Sequence, residues 1–197
     1  MQQQQKTLTL VMVAMFAALT AIGAFIKVPL PVVPFTLQIV FVFLAGSLLG
    51  SRNGLLSQFV YIGIGLVGLP VFTQGGGITY VMQPTFGFLI GFALAAFVIG
   101  WLIEKVDEPT KKHFIGATVV GLFLIYAIAV PYLYVSLNFW LNVQTSWSHV
   151  FLVGFLNSIV ADFCLAIVSA LLAERLYKVF RSARALNISQ MKKEHVS

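Results

Sequence analysis

The chain has 197 residues, of which 59% are apolar and only 9% charged, and its mean hydropathy is +0.96. A soluble domain carries roughly 25% charged residues, so a water-soluble monomer is excluded and the bilayer must be the solvent. A single cysteine, Cys164, excludes a disulfide framework and a cysteine metal cluster. The formal net charge of +6 raises the question of nucleic acid, but the basic residues border apolar stretches and no nucleic-acid partner is expected.

A membrane helix needs about 20 mostly apolar residues. In chain order the candidate spans are residues 8–26, 35–49, 55–69, 84–103, 114–137 and 150–173. The expected fold is therefore an all-α bundle of six membrane helices forming one membrane domain over 1–197, with a basic tail at 174–197. No small-residue cleavage site follows the first apolar run, so no signal peptide is expected. Six spans put both termini on one side. That side receives Lys6, Arg52, Lys105, Lys111, Lys112, Arg175, Lys178, Arg181, Arg184, Lys192 and Lys193, and the other side only Lys27. Positive residues mark the cytoplasmic face, so both termini are expected there. The basic tail is an orientation signal and a contact with the lipid bilayer, or a docking surface for a cytoplasmic partner.

Spans two and three have about 15 residues, or roughly 22 Å, against a hydrocarbon core of about 30 Å. They cannot cross alone. The outer connections must supply the remaining depth: the 27–34 stretch with three prolines, and the uncharged 70–83 stretch with Gly75, Gly76 and Gly77. Irregular backbone at membrane depth survives only when it is buried in protein or lines a cavity, and interrupted spans point to a binding site. An outward-facing cavity roofed by these two connections is expected. The third outer connection, with Asn138, Trp140, Asn142, Gln144 and Trp147, suits an interfacial belt.

Asp162 alone among six acids lies inside a span. A carboxylate there costs at least ~2.5 kcal/mol, so a functional role is the default and an interhelical hydrogen bond the alternative. Ser158, Asp162 and Ser169 share one helix face, bordered by Asn157. Gln38 follows the proline stretch directly and suits a ligand contact as well as it suits helix packing. Gln58 and Tyr61, three residues apart, suit interhelical hydrogen bonds. Pro84 and Thr85 suit a helix start, and amides of Gly75–Gly77 with that helix end suit an anion, or form merely a flexible loop. Small residues four apart (Ala14 and Ala18, Ala17 and Ala21, Gly46 and Gly50, Gly87 and Gly91) suit close packing or a partner face. No nucleophile–base pair lies within a span, no cluster suits a metal, and no phosphate-binding loop is present, so neither an enzyme nor a resident cofactor is expected.

Three stretches in order, Pro31-Val32-Val33-Pro34-Phe35-Thr36-Leu37-Gln38, Leu44-Ala45-Gly46-Ser47-Leu48-Leu49-Gly50 and Gly68-Leu69-Pro70-Val71-Phe72, resemble the BioY family. These are the substrate-binding (S) components of energy-coupling factor (ECF) transporters for biotin. The resemblance implies capture of the vitamin outside and assembly with a membrane scaffold (T) subunit and two cytoplasmic ATPases. It implies scaffold docking through Ala14 and Ala18, and a substrate contact at Asp162. Beside that acid the family carries Pro-Gly and a Lys three residues on, whereas this chain has Val160-Ala161 and Leu165. Gln83-Pro84-Thr85-Phe86-Gly87-Phe88 replaces a glycine-rich family motif, and the loop asparagine of some members has no match near Gly75 and Gly76. The lost Lys removes a cation for the biotin carboxylate. Loop amides near Gly75–Gly77, the start of span four, or Lys27 are the replacements.

An ionised Asp162 suits the ureido N–H groups of biotin and repels its carboxylate. Phe35, Tyr61 and Tyr80 suit its rings and chain. Lipoate, or another small vitamin-like acid, is the alternative ligand, although lipoate leaves Asp162 without a donor. A self-sufficient facilitator is the remaining alternative.

Overall fold

The structure, a computed structural model, describes residues 2–30 and 32–194. Pro31 and residues 195–197 of the expected tail lie outside the described residues. The chain forms six helical rods. They are α1 (Gln2–Phe25), α2 (Gln38–Leu49), α3 (Ser51–Leu66), α4 (Phe86–Glu104), α5 (Lys111–Val135) and a last rod of α6 (Trp147–Phe151) and α7 (Asn157–Glu194). One turn of π-helix, Leu152–Leu156, joins α6 to α7, and another, Ser136–Trp140, ends the α5 rod. Four helical segments are long and apolar enough to cross a membrane: Lys6–Phe25, Phe86–Glu104, Lys111–Trp140 and Trp147–Phe180. The exceptions are α2 and α3, with 12 and 16 residues.

Several boundaries differ from the apolar runs, each for a local reason. Residues Phe35–Thr36 leave the second run to form β2, paired antiparallel with β1 (Lys27–Val28). The proline stretch is thus the tip of a two-stranded ribbon, since proline cannot donate a ladder hydrogen bond and breaks the helix. Conversely, α3 starts at Ser51, ahead of the apolar run, because Glu104 caps it. Glu104 Oε1 accepts from the Ser51 amide at 2.9 Å and Oε2 from the Ser51 hydroxyl at 2.7 Å. A carboxylate at a helix N-terminus satisfies an orphan donor and complements the helix dipole. At its far end, α7 runs on as helix through the basic segment.

Small residues set the helix spacing. A Cβ on Gly46 would meet the Ala96 carbonyl at 2.5 Å, one on Gly91 the Ile125 Cα at 3.0 Å, and one on Gly87 the Tyr132 Cβ at 2.5 Å. This is the close-packing use of the small-residue pattern. Helix α4 is the hub, packed on α2, α3 and α5, while α7 closes the bundle against α2 and α5. Ala17 is buried in α1, whereas Ala14 and Ala18 lie on its exposed side.

All three long connections, 26–37, 67–85 and 136–146, gather at one end, hereafter the loop end. There Tyr134 stacks on Trp147 with ring centroids 3.8 Å apart, and the Asn138 side chain holds both N–H and C=O of Thr145. Trp140 and Trp147 are exposed beside them, as an interfacial belt requires.

The packing makes a paired prediction. A Cβ on Gly100 would fall 2.3 Å from the Ser51 amide nitrogen, while one on Gly63 would meet nothing within 4 Å. Gly100→Ala should therefore destabilise the bundle by about 1–3 kcal/mol, and Gly63→Ala should leave it unchanged or raise it by up to ~1 kcal/mol. Thermal unfolding of both variants in the same detergent checks the contrast.

Candidate functional site

A cavity opens at the loop end between α2, α4, α5 and α7, under the β1–β2 ribbon and the 67–85 connection. Its empty space, open solvent at the mouth included, is about 540 Å³. Six elements line it. The ribbon supplies Val33, Pro34, Phe35 and Thr36; α2 supplies Gln38 and Ile39; the roof supplies Thr73, Tyr80 and Thr85; α4 and α5 supply Phe88, Leu89, Phe92 and Ile125; α7 supplies Ser158 and Asp162.

The polar groups are held from behind. Tyr126 on α5 donates its hydroxyl hydrogen to Asp162 Oδ2. Among the described residues no other group bonds this carboxylate, so Oδ1 is free to accept a hydrogen bond from within the cavity. Ser158 is one helical turn away, and its buried Oγ has no hydrogen-bond partner. A buried hydroxyl without a partner costs roughly 1–3 kcal/mol, a cost that a hydrogen-bonding group placed in the cavity would remove. Across the cavity, Gln38 Nε2 donates to Tyr61 OH at 2.8 Å, Thr36 Oγ1 donates to Gln38 Oε1 at 3.2 Å, and Tyr61 OH donates to the Val71 carbonyl at 3.2 Å. Tyr80 OH bridges the hydroxyls of Thr73 at 3.0 Å and Thr85 at 2.9 Å.

The roof is a folded unit. Phe72 inserts beside Gly65, where a Cβ would lie 2.0 Å from its ring, and packs between Tyr61 and Tyr80 at centroid distances of 5.4 and 4.5 Å. A 3₁₀ turn, Ile78–Met82, follows. Tyr132 and Ser136 of the α5 rod donate to the carbonyls of Val81 and Met82.

The structure brings Phe35, Gln38, Tyr80, Thr85, Ser158 and Asp162 together around one space. It keeps others out. Tyr61 stands behind Gln38 and orients it. Asn157 is exposed and outside the cavity, because α7 turns it away from the Ser158–Asp162 face. Ser169 donates to its own helix at the Leu165 carbonyl, 2.6 Å away, so the polar stripe ends at Asp162. Gln58 donates to Thr20 of α1 across the helix interface, as expected of glue, and to its own neighbour Ser57. The expectation of an amide cradle at Gly75–Gly77 needs correcting. The Gly75 amide donates to Phe72 O and the Gly77 amide to Gly65 O at 2.7 Å. A Cβ on Gly76 would meet Leu69 O at 2.2 Å, and φ is +116° at Gly75 and +101° at Gly77. These glycines let the roof fold tightly onto α3; they do not line the cavity. Sequence reasoning missed Tyr126, Thr73, Phe88 and Phe92. Only Phe88 and Phe92 had a signal, their spacing of four on one face of α4.

Long apolar helices with exposed hydrophobic faces, a roofed cavity and one positioned carboxylate define a membrane-embedded protein. The chain belongs to the BioY family, whose model matches residues 1–182. It is 78% identical over 196 residues to a protein of Lysinibacillus sphaericus described as a probable biotin transporter BioY, covering 100% of both chains. It is 40% identical over 172 residues to the biotin transporter BioY of Thermotoga maritima, covering 86% of this chain and 96% of that one. Its fold matches the crystal structure of the S-component for biotin from an ECF-type ABC transporter, with a TM-score of 0.78 and 26% identity over 90% of this chain and 95% of that one. The family is one of prokaryotic membrane transporters, not of enzymes.

The Tyr126–Asp162 pair yields a stability prediction. Tyr126→Phe removes the donor to Asp162 and should cost about 1–3 kcal/mol. Asp162→Asn keeps an acceptor for Tyr126 and should cost less. Melting temperatures of the two variants without ligand give the comparison, and the reverse order would contradict the assignment.

Proposed function

We propose that this chain is the substrate-binding S subunit of an ECF-type uptake transporter, binding biotin in the plasma membrane of a prokaryote. The observation that carries the reading is the pairing, inside one cavity, of an oriented carboxylate with an unpartnered hydroxyl. Asp162 Oδ1 accepts a ureido N–H, and Ser158 Oγ serves the same polar edge. Gln38 and Thr85 add polar contacts above, and Phe35 and Tyr80 pack the ligand's apolar surface. Tyr61 acts through Gln38, and Gly75–Gly77 act by shaping the roof. Lipoate, with no N–H to offer, leaves Asp162 without a donor.

The arrangement of the whole chain follows from its charge distribution. We place the loop end outside and both termini in the cytoplasm, with six crossings: α1 to α5 and the α6–α7 rod. The Lys and Arg asymmetry supports this, as does the Glu104 cap at the opposite end from the roof. The described helices form one membrane domain, and the segment from residue 174 onward is a basic cytoplasmic extension. Ala14 and Ala18, exposed and one turn apart on α1, form the docking face for the T subunit, through which two ATPases drive uptake.

Calorimetric titration of the purified protein with biotin, and with lipoate in parallel, tests the ligand. Biotin should bind and lipoate should not. Asp162→Asn should weaken biotin at least about tenfold, or ~1.4 kcal/mol, without lowering the melting temperature in step. Unchanged affinity would remove Asp162 from the site. Ala14→Trp or Ala18→Trp should abolish co-purification with the T subunit while sparing biotin binding; an intact complex would refute the docking face.

A further inference from the structure

Asp162 is the single charged residue among the described residues that line the cavity. A ligand carboxylate finds no cation inside, because Leu165, three residues beyond Asp162, is an apolar side chain packed against the core. It also finds Coulomb repulsion from Asp162. The mouth is different. Lys27 pairs directly with Thr36 across the β1–β2 ribbon. Directly opposed residues of an antiparallel pair carry their side chains on the same face, and Thr36 lines the cavity. Lys27 Nζ donates to the carbonyl of Thr73, which lines the cavity from the roof. The ammonium is thus held at the rim, between lining residues of two different connections. Among the described residues the recorded ion pair is Lys178 with Glu174, so Lys27 has no carboxylate of its own. It has three donors and gives one to Thr73.

We propose that Lys27 is the counter-ion of the ligand's carboxylate and sets the ligand's orientation. The proposal rests on the biotin reading above. The donor-bearing ureido head lies deep, at Asp162 and Ser158, and the acid tail lies at the mouth. A cation on one side of the cavity and an anion on the other select a ligand with a hydrogen-bond donor head and an acid tail. The same ammonium spans the Thr73 carbonyl and the ligand, so the bound acid draws the ribbon and the roof together.

The test compares biotin with its neutral primary amide, which keeps the head and chain and loses only the charge. Wild-type protein should bind biotin more tightly than the amide. Lys27→Met should weaken biotin roughly three- to tenfold, the range of a partly exposed ion pair, and leave the amide unchanged, so the preference for the acid disappears. Lys27→Arg should restore it. Equal losses for both ligands would make Lys27 only a strap between ribbon and roof and would overturn the proposal, as would unchanged biotin affinity in Lys27→Met. A wild-type protein that binds neither ligand would instead overturn the biotin reading on which the proposal stands.

Discussion

The structure depends on the shortness of α2. Twelve helical residues span about 18 Å, against a hydrocarbon core of about 30 Å. Any remaining depth has to come from non-helical backbone, and amides and carbonyls that meet lipid find no water. That backbone survives because it bonds to itself and to protein. The ribbon pairs Lys27–Val28 with Phe35–Thr36, and the roof bonds back to α3 through Gly77 and Gly65. A short helix, a ribbon and a folded roof together leave a space that side chains do not fill. The cavity is a consequence of that one length.

The hydroxyl aromatics follow from the same constraint. Tyr61 satisfies the Val71 carbonyl, Tyr132 the Val81 carbonyl, and Tyr80 two threonines. Each offers a large apolar ring to the bundle and one donor at its tip. The roof is thereby fastened to α3, α4 and α5 without a charge. Tyr126 does the equivalent for Asp162, placing a neutral donor against a carboxylate. At the opposite end a charged group performs this work, Glu104 on Ser51. The contrast separates an end fastened by a charge from an end fastened by neutral hydroxyls.

Much of this was legible from composition. The long apolar runs mark α1, α4, α5 and the final rod because a membrane helix must be apolar over its length. Asp162 stood out because a lone acid in such a run is expensive. What stayed hidden depends on distant contacts. The start of α3 at Ser51 is set by Glu104, 53 residues away. Pairing across the proline tip removes Phe35 and Thr36 from a run that looks helical. Tyr126 is an ordinary residue of an apolar helix until α7 sets Asp162 beside it. The glycines signalled a tight loop correctly, but which acceptors their amides meet is decided by Gly65 and Phe72. That is why an expected anion cradle turned out to be a packing device.

The site's polar groups sit on separate elements: Thr36 on the ribbon, Gln38 on α2, Thr73 in the roof, Thr85 at the start of α4, and Ser158 with Asp162 on α7. No two neighbouring elements alone hold a ligand. A molecule that reaches from Asp162 to the mouth therefore cross-links the ribbon and the roof to the helices beneath. Its binding free energy is then drawn from all of these elements at once, and its release breaks contacts to all of them together. A partner that displaces any one of these elements weakens the site as a whole, which is a physical reason for such a bundle to work as one subunit of a transporter.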